Sequence, residues 1–432
     1  MLRVVLIDER YLDTCDVAAL KDALGFRIVL ITELEEIDSL KEQFSFLDHI
    51  YRVHSHDTKR LRQEFDEGEV KNIVAREQSF MNAGDTLKVL SINEYYQALA
   101  ATIRNSFSLP GTSCEMVSRF TDKIVMKEII QNAGIRAPRF QHFDLQRYQN
   151  ACDDYFDVLA QELELPFILK PISEASAYGI TRVCSKEDFV SASVRENVLL
   201  LEYEVEEFIA GPLFHCNSLV HDGKVIFSEC SEYSYPMLEF MFGRVLASMP
   251  LDEAHADREP LIAFSKKVLV ALGMPDGVFH MEIFKNSNDE YVFLEVASRP
   301  PGGMVVSTYQ RYFGVNLVRQ ALRIAFGYQP DVEIKRGDAG LWAHVPIGVG
   351  LRRSDYPIPR LEATSEITWQ LPDDETPAQS AGKSLSDTAA IISAWGSYSV
   401  ISEYFRRLKQ VVIRDKQDEA SEDEKPNAQL IV

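Results

Sequence analysis

Residues 280–299 read HMEIFKNSNDEYVFLEVASR, and this stretch predicts a β-hairpin with two carboxylates at its centre. The segments HMEIF and YVFLEV are typical of strands, and they flank the polar turn NSNDE. Pairing of the two segments would set Glu282 and Glu295 side by side, where like charges destabilise a sheet. A divalent cation would relieve this repulsion, because Mg²⁺ binds one or two carboxylates together with substrate phosphates.

A second interpretation places both glutamates on the solvent face of an ordinary hairpin. In YVFLEV, however, apolar residues occupy both faces, as they do in a buried strand. A buried carboxylate needs a cation or hydrogen-bond donors. Both interpretations remain open at this point, and the expected burial favours the metal site.

The composition restricts the class of protein. A chain of 432 residues is too long for one ordinary core and indicates roughly two to four domains. Asp and Glu total 66 against 45 Lys and Arg, which gives a formal charge of -21. Such a charge repels nucleic acid and anionic membrane surfaces. We therefore expect neither a nucleic acid nor a membrane as a partner.

The cysteines and the N-terminus indicate a cytoplasmic location. The six cysteines form no CxxC pair, so neither a zinc ribbon nor a disulfide framework is indicated, and we expect reduced thiols. The apolar run of the N-terminal MLRVVLIDE is too short for a signal peptide, and no later stretch is long enough to span a membrane.

The N-terminal region alternates predicted strands and helices. RVVLID, a helix over 16–24 and FRIVLIT predict the start of a βαβ unit, with Gly25 ending the helix. No GxGxxG follows the first strand, so a dinucleotide site is not expected there. Far along the chain, we predict a helix near 384–395 after several short strands.

Three segments upstream of the hairpin carry charged residues at the ends of predicted elements. They are Asp122-Lys123 at a helix start, FILKP (167–171) at a strand end and EEFIAG (206–211) between two strands. Together with the stretch EYYQALAATIRNSFSLPG before them and the two hairpin acids after them, this order resembles the ATP-grasp superfamily over roughly residues 90–330. The likeness is to its carboxylate–amine ligases, which include the L-amino-acid ligases.

The resemblance implies an α/β (α+β) protein with an ATP-grasp fold, an N-terminal Rossmann-like pre-ATP-grasp domain and a C-terminal β-rich lobe. The domains that we predict are an N-terminal α/β domain (1–115), a small ATP-grasp subdomain with a phosphate loop (116–205), a large subdomain with the metal site (206–330), a C-terminal lobe (331–413) and a disordered acidic tail (414–432).

The resemblance also implies a set of ATP-binding residues: Lys123, Lys170, Ser176, Gly179, Glu206, Glu207 and Ile209. Lysine ammonium groups suit phosphates, and an acidic protein must concentrate such cations locally. On the residues alone, Lys123 fits a solvated helix lysine as well, and the loop at 173–180 fits a surface turn. Leu213 departs from the family, which often has a ribose-binding acid there.

The metal, Mg²⁺ or Mn²⁺, would be bound by Glu282, Glu295 and Ser298, with serine replacing the family's usual asparagine. Arg299 would be catalytic, because a guanidinium can stabilise a transferring phosphoryl group or bind a substrate carboxylate. A structural salt bridge is the alternative for Arg299. We expect His215 and His280, which lie in apolar strands, to be core residues and assign no catalysis to either.

The implied reaction is ATP-dependent joining of a carboxylate, an amino acid or another small acid, to an amine through an acyl phosphate, with release of ADP and phosphate. Two alternatives stay open. One is a carboxylase-type or other acyl-phosphate ligase, and the other is a nucleotide-binding regulator with impaired catalysis, suggested by Ser298 and Leu213. The partners expected are small molecules, and a homodimer is compatible with the sequence.

Overall fold

The computed structural model describes residues 1–416 except 34–36, 57–63, 176, 194–200, 361–363, 374–375, 378–384 and 386. In this part of the chain, strands form sheets of four, four, eight and two members. The predicted acidic tail beyond residue 416 lies outside the described residues. Asp415 is described, and its carboxylate accepts a hydrogen bond of 2.6 Å from the backbone N–H of Val349.

The N-terminal region alternates strands and helices, as predicted. Its elements are β1 (Leu2–Ile7), α1 (Val17–Leu24), β2 (Phe26–Thr32), α2 (Ile37–Gln43), β3 (His49–Arg52), β4 (Ser55–His56), β5 (Glu64–Phe65), α3 (Glu67–Ser79), β6 (Thr86–Leu90), α4 (Glu94–Ser106) and α5 (Cys114–Ser118). Four strands form a parallel sheet in the order β3-β2-β1-β6. Gly25 ends α1 with φ 68°, a conformation that glycine adopts without steric cost, so the predicted helix end is confirmed.

A second, antiparallel sheet follows, in the order β7-β10-β8-β9. The elements of this region are α6 (Lys123–Asn132), β7 (Phe140–His142), α7 (Leu145–Asn150), α8 (Cys152–Leu163), β8 (Phe167–Pro171), β9 (Thr181–Val183), α9 (Lys186–Ser193) and β10 (Tyr203–Glu207). Tyr155, Phe167 and Phe189 lie at the centre of its core and are almost completely buried. This sheet forms one wall of the site described below.

The largest sheet has eight strands in the order β15-β14-β11-β12-β13-β16-β18-β17. The elements of this region are β11 (Leu213–His221), β12 (Lys224–Tyr233), β13 (Leu246–Pro250), α10 (Arg258–Leu272), β14 (Gly277–Lys285), β15 (Tyr291–Ala297), α11 (Val305–Phe313), α12 (Leu317–Phe326), β16 (Ala339–Pro346), β17 (Thr364–Trp369), β18 (Thr388–Gly396) and α13 (Tyr398–Leu408). Pairing of β13 with β16 carries the sheet across the predicted domain limit at residue 330. The domain limits themselves stay a prediction.

The helix predicted near 384–395 is wrong, because β18 occupies Thr388–Gly396. Alanines give this stretch a high helix propensity. In the sheet, however, β16 and β17 pair with β18 on its two sides. Ala390, Ile392 and Ala394 are fully buried there, so tertiary packing outweighs the local preference.

The expectation that all cysteines are reduced is wrong for one pair. Cys216 on β11 and Cys230 on β12 lie directly opposite each other and form a disulfide, with Cα atoms 4.2 Å apart. The register of the hairpin around residues 221–224 brings them together. A separation of 14 residues does not reveal this pairing, because it depends on where the turn falls.

None of the helices in the described part of the chain combines the length and the apolarity that a membrane crossing requires.

Candidate functional site

Seven of the predicted site residues meet in a cleft between the four-stranded antiparallel sheet and the eight-stranded sheet. The cleft is a concave pocket with apolar walls and a few polar groups, as is typical of small-molecule sites. The predicted residues that line it are Lys123, Lys170, Glu206, Glu207, Ile209, Glu282 and Glu295. Its apolar walls come from Ile168, Leu213, Phe284 and Leu294. Leu213 therefore presents no polar group at the position where the family often has a ribose-binding acid.

The hairpin acids lie as the sequence predicted. Glu282 on β14 and Glu295 on β15 are register partners, beside an irregularity that follows Glu282. Glu282 is 6% exposed, which contradicts a solvent-facing hairpin. Burial and then the Glu282 carboxylate raise the pKa of Tyr233 well above its usual value, so Tyr233 stays a hydroxyl donor to this carboxylate. Among the described residues, no lysine or arginine lies within 4.0 Å of Glu282.

Lys123 connects the acids with the other wall. Its ammonium donates to the carbonyl oxygen of Glu174 at 2.6 Å and lies 3.6 Å from Glu295 Oε2. Lys123 is 6% exposed, so it is not a solvated helix lysine. Burial opposes ionisation of Glu295, but Lys123 and then Lys170 outweigh it and lower the pKa of this carboxyl.

The floor of the cleft is a network of four buried charges: Lys127, Lys170, Glu204 and Glu206. Lys170 Nζ lies 2.7 Å from Glu206 Oε1 and 3.6 Å from Glu204 Oε1. Lys127 Nζ lies 2.6 Å from Glu204 Oε1 and also contacts Glu206. The two acids share one face of β10 because side chains alternate along a strand. Sequence reasoning missed Lys127 and Glu204, although Lys127 follows Lys123 by one helical turn.

The network fixes the charges of its members. Burial disfavours the ionised form of Glu206, but Lys127 and Lys170 overcome it and lower its pKa to about 2. Burial likewise opposes the charge on Lys170, and Glu206 and Glu204 raise its pKa above the usual value. Both oxygens of the Glu206 carboxylate thus contact lysines, and its binding of a nucleotide stays a prediction.

Glu207 and Ile209 lie at the exit of β10. The Glu207 carboxylate accepts hydrogen bonds from Arg136 Nη2 at 2.7 Å and from the backbone N–H of Arg139 at 3.0 Å. This contact fixes the end of the strand. Ile209 is 7% exposed and packs into the main core.

The predicted phosphate loop is described only in part, because Ser176 lies outside the described residues. Gly179 has φ 71°, and a Cβ atom there would lie 2.9 Å from both Pro171 Cγ and Tyr203 Oη. A larger residue would therefore push this loop away from β8 and β10.

Arg299 lies behind the acids, and its side chain is 15% exposed. Its guanidinium contacts Glu94 Oε2 at 2.8 Å, which ties the hairpin to the start of α4. Burial opposes the charge, but Glu94 raises the pKa of Arg299 above its usual value. Arg299 lines a small cavity together with Glu282 and Glu295, so the structure brings these three predicted residues together.

Ser298 is not brought to the acids. It lines a different cavity, and its hydroxyl lies 3.9 Å from the position of a Cβ atom on Gly277. The residues of β15 that share the cavity with the acids are Val296 and Ala297, and neither side chain has a ligand atom. His280, the register partner of Ala297, also lines that cavity, and sequence reasoning assigned it no role. The assignment of Ser298 as a metal ligand therefore lacks geometric support.

We predict that the protein loses stability as the pH falls from about 4.5 to about 2, because Glu206 has a folded pKa of about 2 and an ordinary value of 4.5. Its ionised form stabilises the fold at higher pH, by on the order of 3 kcal/mol. Urea unfolding at a series of pH values measures this contribution. The Glu206→Gln variant should show a shallower loss, and an unchanged pH dependence would contradict the assignment.

We also predict that Lys127→Met destabilises the protein by about 3–5 kcal/mol, because it leaves Glu204 and Glu206 with Lys170 as the one cation within 4.0 Å among the described residues. Lys186→Met is the matched control, since Lys186 forms partly exposed contacts with Asp153 and Asp157 that are worth about 0–1 kcal/mol. The free energy of unfolding in urea distinguishes the two variants. Equal losses would show that the buried network does not support the fold.

Comparison with known proteins agrees with this geometry. Residues 163–308 match the ATP-grasp domain family. The chain is 24% identical over 292 residues to the L-arginine-specific L-amino acid ligase of Bacillus subtilis, which covers 65% of this chain and 67% of that protein. The match spans 67% of the length of that ligase, 55% of the dapdiamide A synthase of Enterobacter agglomerans and 34% of the D-alanine–D-alanine ligase of Prosthecochloris aestuarii.

Solved structures share the fold over nearly the whole chain. The L-amino acid ligase from Bacillus licheniformis has a TM-score of 0.68 at 17% identity and covers 96% of this chain and 99% of its own. The biotin carboxylase domain of the Hydrogenobacter thermophilus 2-oxoglutarate carboxylase, in complex with MgADP, ADP and bicarbonate, has a TM-score of 0.61 at 16% identity and covers 94% and 89%. Likeness at these identities establishes the fold, and the predicted fold class is confirmed. With the ATP-grasp domain match over residues 163–308, it shows that the chain has the ATP-grasp fold and is similar to amino acid ligases.

Proposed function

We propose that the chain is an ADP-forming ligase that joins a small carboxylate, such as an amino acid, to an amine through an acyl phosphate. The observation that carries this proposal is that Lys123 and Lys170 share one cleft with the paired acids Glu282 and Glu295. Phosphates need cations, and a divalent metal that bridges phosphates needs carboxylates. The similarity to an L-arginine-specific L-amino acid ligase supports the same class of reaction.

ATP would enter the cleft with its phosphates toward the two lysines. Lys170 is 3% exposed and kept charged by the acids beneath it, so it offers a fixed positive charge. Lys123 already donates to the carbonyl oxygen of Glu174, and it would add a second cation at the same end. The adenine ring would lie between the apolar walls, near the backbone of Ile209, with Glu207 holding the end of β10 in place.

The donor set at the acids fits a divalent cation. Glu282 and Glu295 provide carboxylate oxygens, the ligands that Mg²⁺ prefers, and Glu282 has Tyr233 as a neutral hydrogen-bond donor. When bound, Mg²⁺ or Mn²⁺ supplies charge neutralisation and orientation for the phosphates. A cation between the acids would take over the role of the Lys123 contact, which would leave this ammonium available to a phosphate.

Arg299 would stabilise negative charge during the reaction. It faces the cavity of the acids and is oriented by its 2.8 Å contact with Glu94. A charge that is positioned in advance stabilises a developing anion without reorganisation. Phosphoryl transfer depends on such positioning and neutralisation more than on a protein nucleophile. The carboxylate would therefore attack ATP directly, and the amine would then displace phosphate from the acyl phosphate.

The nucleotide product tests this reaction. Incubation with ATP, Mg²⁺ and a panel of amino acid pairs should yield an amide, ADP and phosphate, with turnover that requires both the acid and the amine. Chromatography of labelled ATP identifies the products. AMP with pyrophosphate would contradict the acyl-phosphate route, and ATP binding without turnover for any pair would favour the nucleotide-binding regulator.

Removal of one metal ligand should abolish turnover without unfolding the protein. Glu295→Gln removes a carboxylate whose register partner is also an acid, so the fold should survive, while the rate of ADP release should fall at least about a hundredfold. Glu290→Gln is the control, because Glu290 lies in the exposed turn of the same hairpin and contacts Asn286. Mn²⁺ should support turnover in place of Mg²⁺. Full activity of Glu295→Gln, or activity in EDTA, would contradict the metal assignment.

A further inference from the structure

A chain of hydrogen bonds leads from the protein core to His280, which lies beside Glu282. It begins at Ser248, whose hydroxyl lies 2.8 Å from Nε2 of His215, a fully buried core residue as predicted. The other ring nitrogen of His215 lies 3.0 Å from the side-chain nitrogen of Asn217. The side-chain oxygen of Asn217 lies 2.8 Å from Nδ1 of His280, and Nε2 of His280 lies 3.8 Å from Glu282 Oε1.

The direction of each bond follows from the groups that form it. An amide nitrogen donates only, so Nδ1 of His215 accepts and its Nε2–H donates to Ser248. Burial, followed by the proximity of His280, holds the pKa of His215 well below its usual value, which agrees with a neutral ring. The amide oxygen of Asn217 accepts only, so Nδ1 of His280 carries a proton. Because Nδ1 is the donor to Asn217, the other ring nitrogen, Nε2, is the one that could bind a metal, and it lies 3.8 Å from Glu282 Oε1.

This arrangement places His280 where a third metal ligand is missing. His280 and Glu282 share one face of β14, because they lie two residues apart on a strand. Across from His280, the register partner on β15 is Ala297, which has no ligand atom, and Ser298 lines another cavity. Metal-binding histidines usually donate their second ring N–H to a carbonyl or carboxylate, as His280 does to Asn217.

We propose that Nε2 of His280 is the third protein ligand of the metal held by Glu282 and Glu295. This inference rests on the proposed function, because it concerns the metal of the same reaction. An imidazole nitrogen binds first-row transition metals more strongly than it binds Mg²⁺, because Mg²⁺ prefers oxygen ligands. His280 would therefore increase the affinity for Mn²⁺ relative to Mg²⁺, and Asn217 would act as a positioning residue that fixes the ring.

Mn²⁺ in the presence of ADP is the probe, since its electron spin resonance detects bound nitrogen directly. The wild-type protein should show the spin-echo modulation of a coordinated imidazole nitrogen, and growth on histidine labelled with the heavy nitrogen isotope should shift it. His280→Gln should lose the modulation and bind Mn²⁺ at least about tenfold more weakly, since even outer-shell partners are worth about 10–100-fold in affinity. His344→Gln, at another partly buried histidine, which contacts Thr388, is the control.

A rescue variant tests the geometry of the strand. In the His280→Gln background, Ala297→Asn should restore Mn²⁺ affinity without the nitrogen signal, because position 297 shares the cavity with the acids. Ser298→Asn should not restore it. Rescue by Ser298→Asn alone would overturn the proposal.

The outcomes separate this inference from the proposed function. Mn²⁺ binding with ADP that depends on Glu295 but shows no imidazole nitrogen in the wild type would overturn the role of His280 and leave the ligase proposal standing. A nitrogen signal that persists in His280→Gln would also overturn it. Failure of the wild type to bind Mn²⁺ with ADP would refute both.

Discussion

The site depends on the buried contact among Lys127, Lys170, Glu204 and Glu206. Removal of such groups from water costs several kcal/mol for each ion, and only close and well-directed partners repay it. Here each charge has partners of opposite sign, with distances of 2.6 and 2.7 Å among the contacts. The network fixes α6 against β8 and β10, and these three elements carry both lysines of the proposed phosphate site. The network thus fixes the relative positions of these elements, and the desolvation of its four charges opposes this stabilisation.

The two sides of the cleft differ in how their charges are balanced. On the side of β8 and β10, two lysines and two glutamates neutralise one another. On the hairpin side, Glu282 has a hydroxyl and a histidine nearby, and Glu295 lies 3.6 Å from Lys123. Negative charge therefore dominates at the hairpin. A nucleotide that arrives with a divalent cation would complement both sides at once, with its phosphates at the lysines and the cation at the acids.

The pairing register of β14 and β15 determines which side chains meet at the site. The pairing of Glu282 with Glu295 and of His280 with Ala297 follows from the same alignment of β14 and β15. A shift by one residue would exchange the faces of the strand and remove an acid from the cleft. Buried apolar neighbours on the hairpin, such as Ile283 and Phe293, favour the observed alignment, because any other would expose them.

The sequence by itself determined the hairpin, its two acids, the lysines at a helix start and a strand end, and their order along the chain. These features are local, because the alternation of apolar and polar residues in a strand and the residue types of a turn can be recognised within a few positions of sequence. Tertiary structure alone decided the ion pairs of Lys127 and Glu204, the position of His280 beside Glu282, the disulfide between Cys216 and Cys230, and the strand at 388–396. It also separated Ser298 from the acids. The physical reason is that each of these depends on which strands lie side by side, and long-range pairing leaves no short-range periodicity in the sequence.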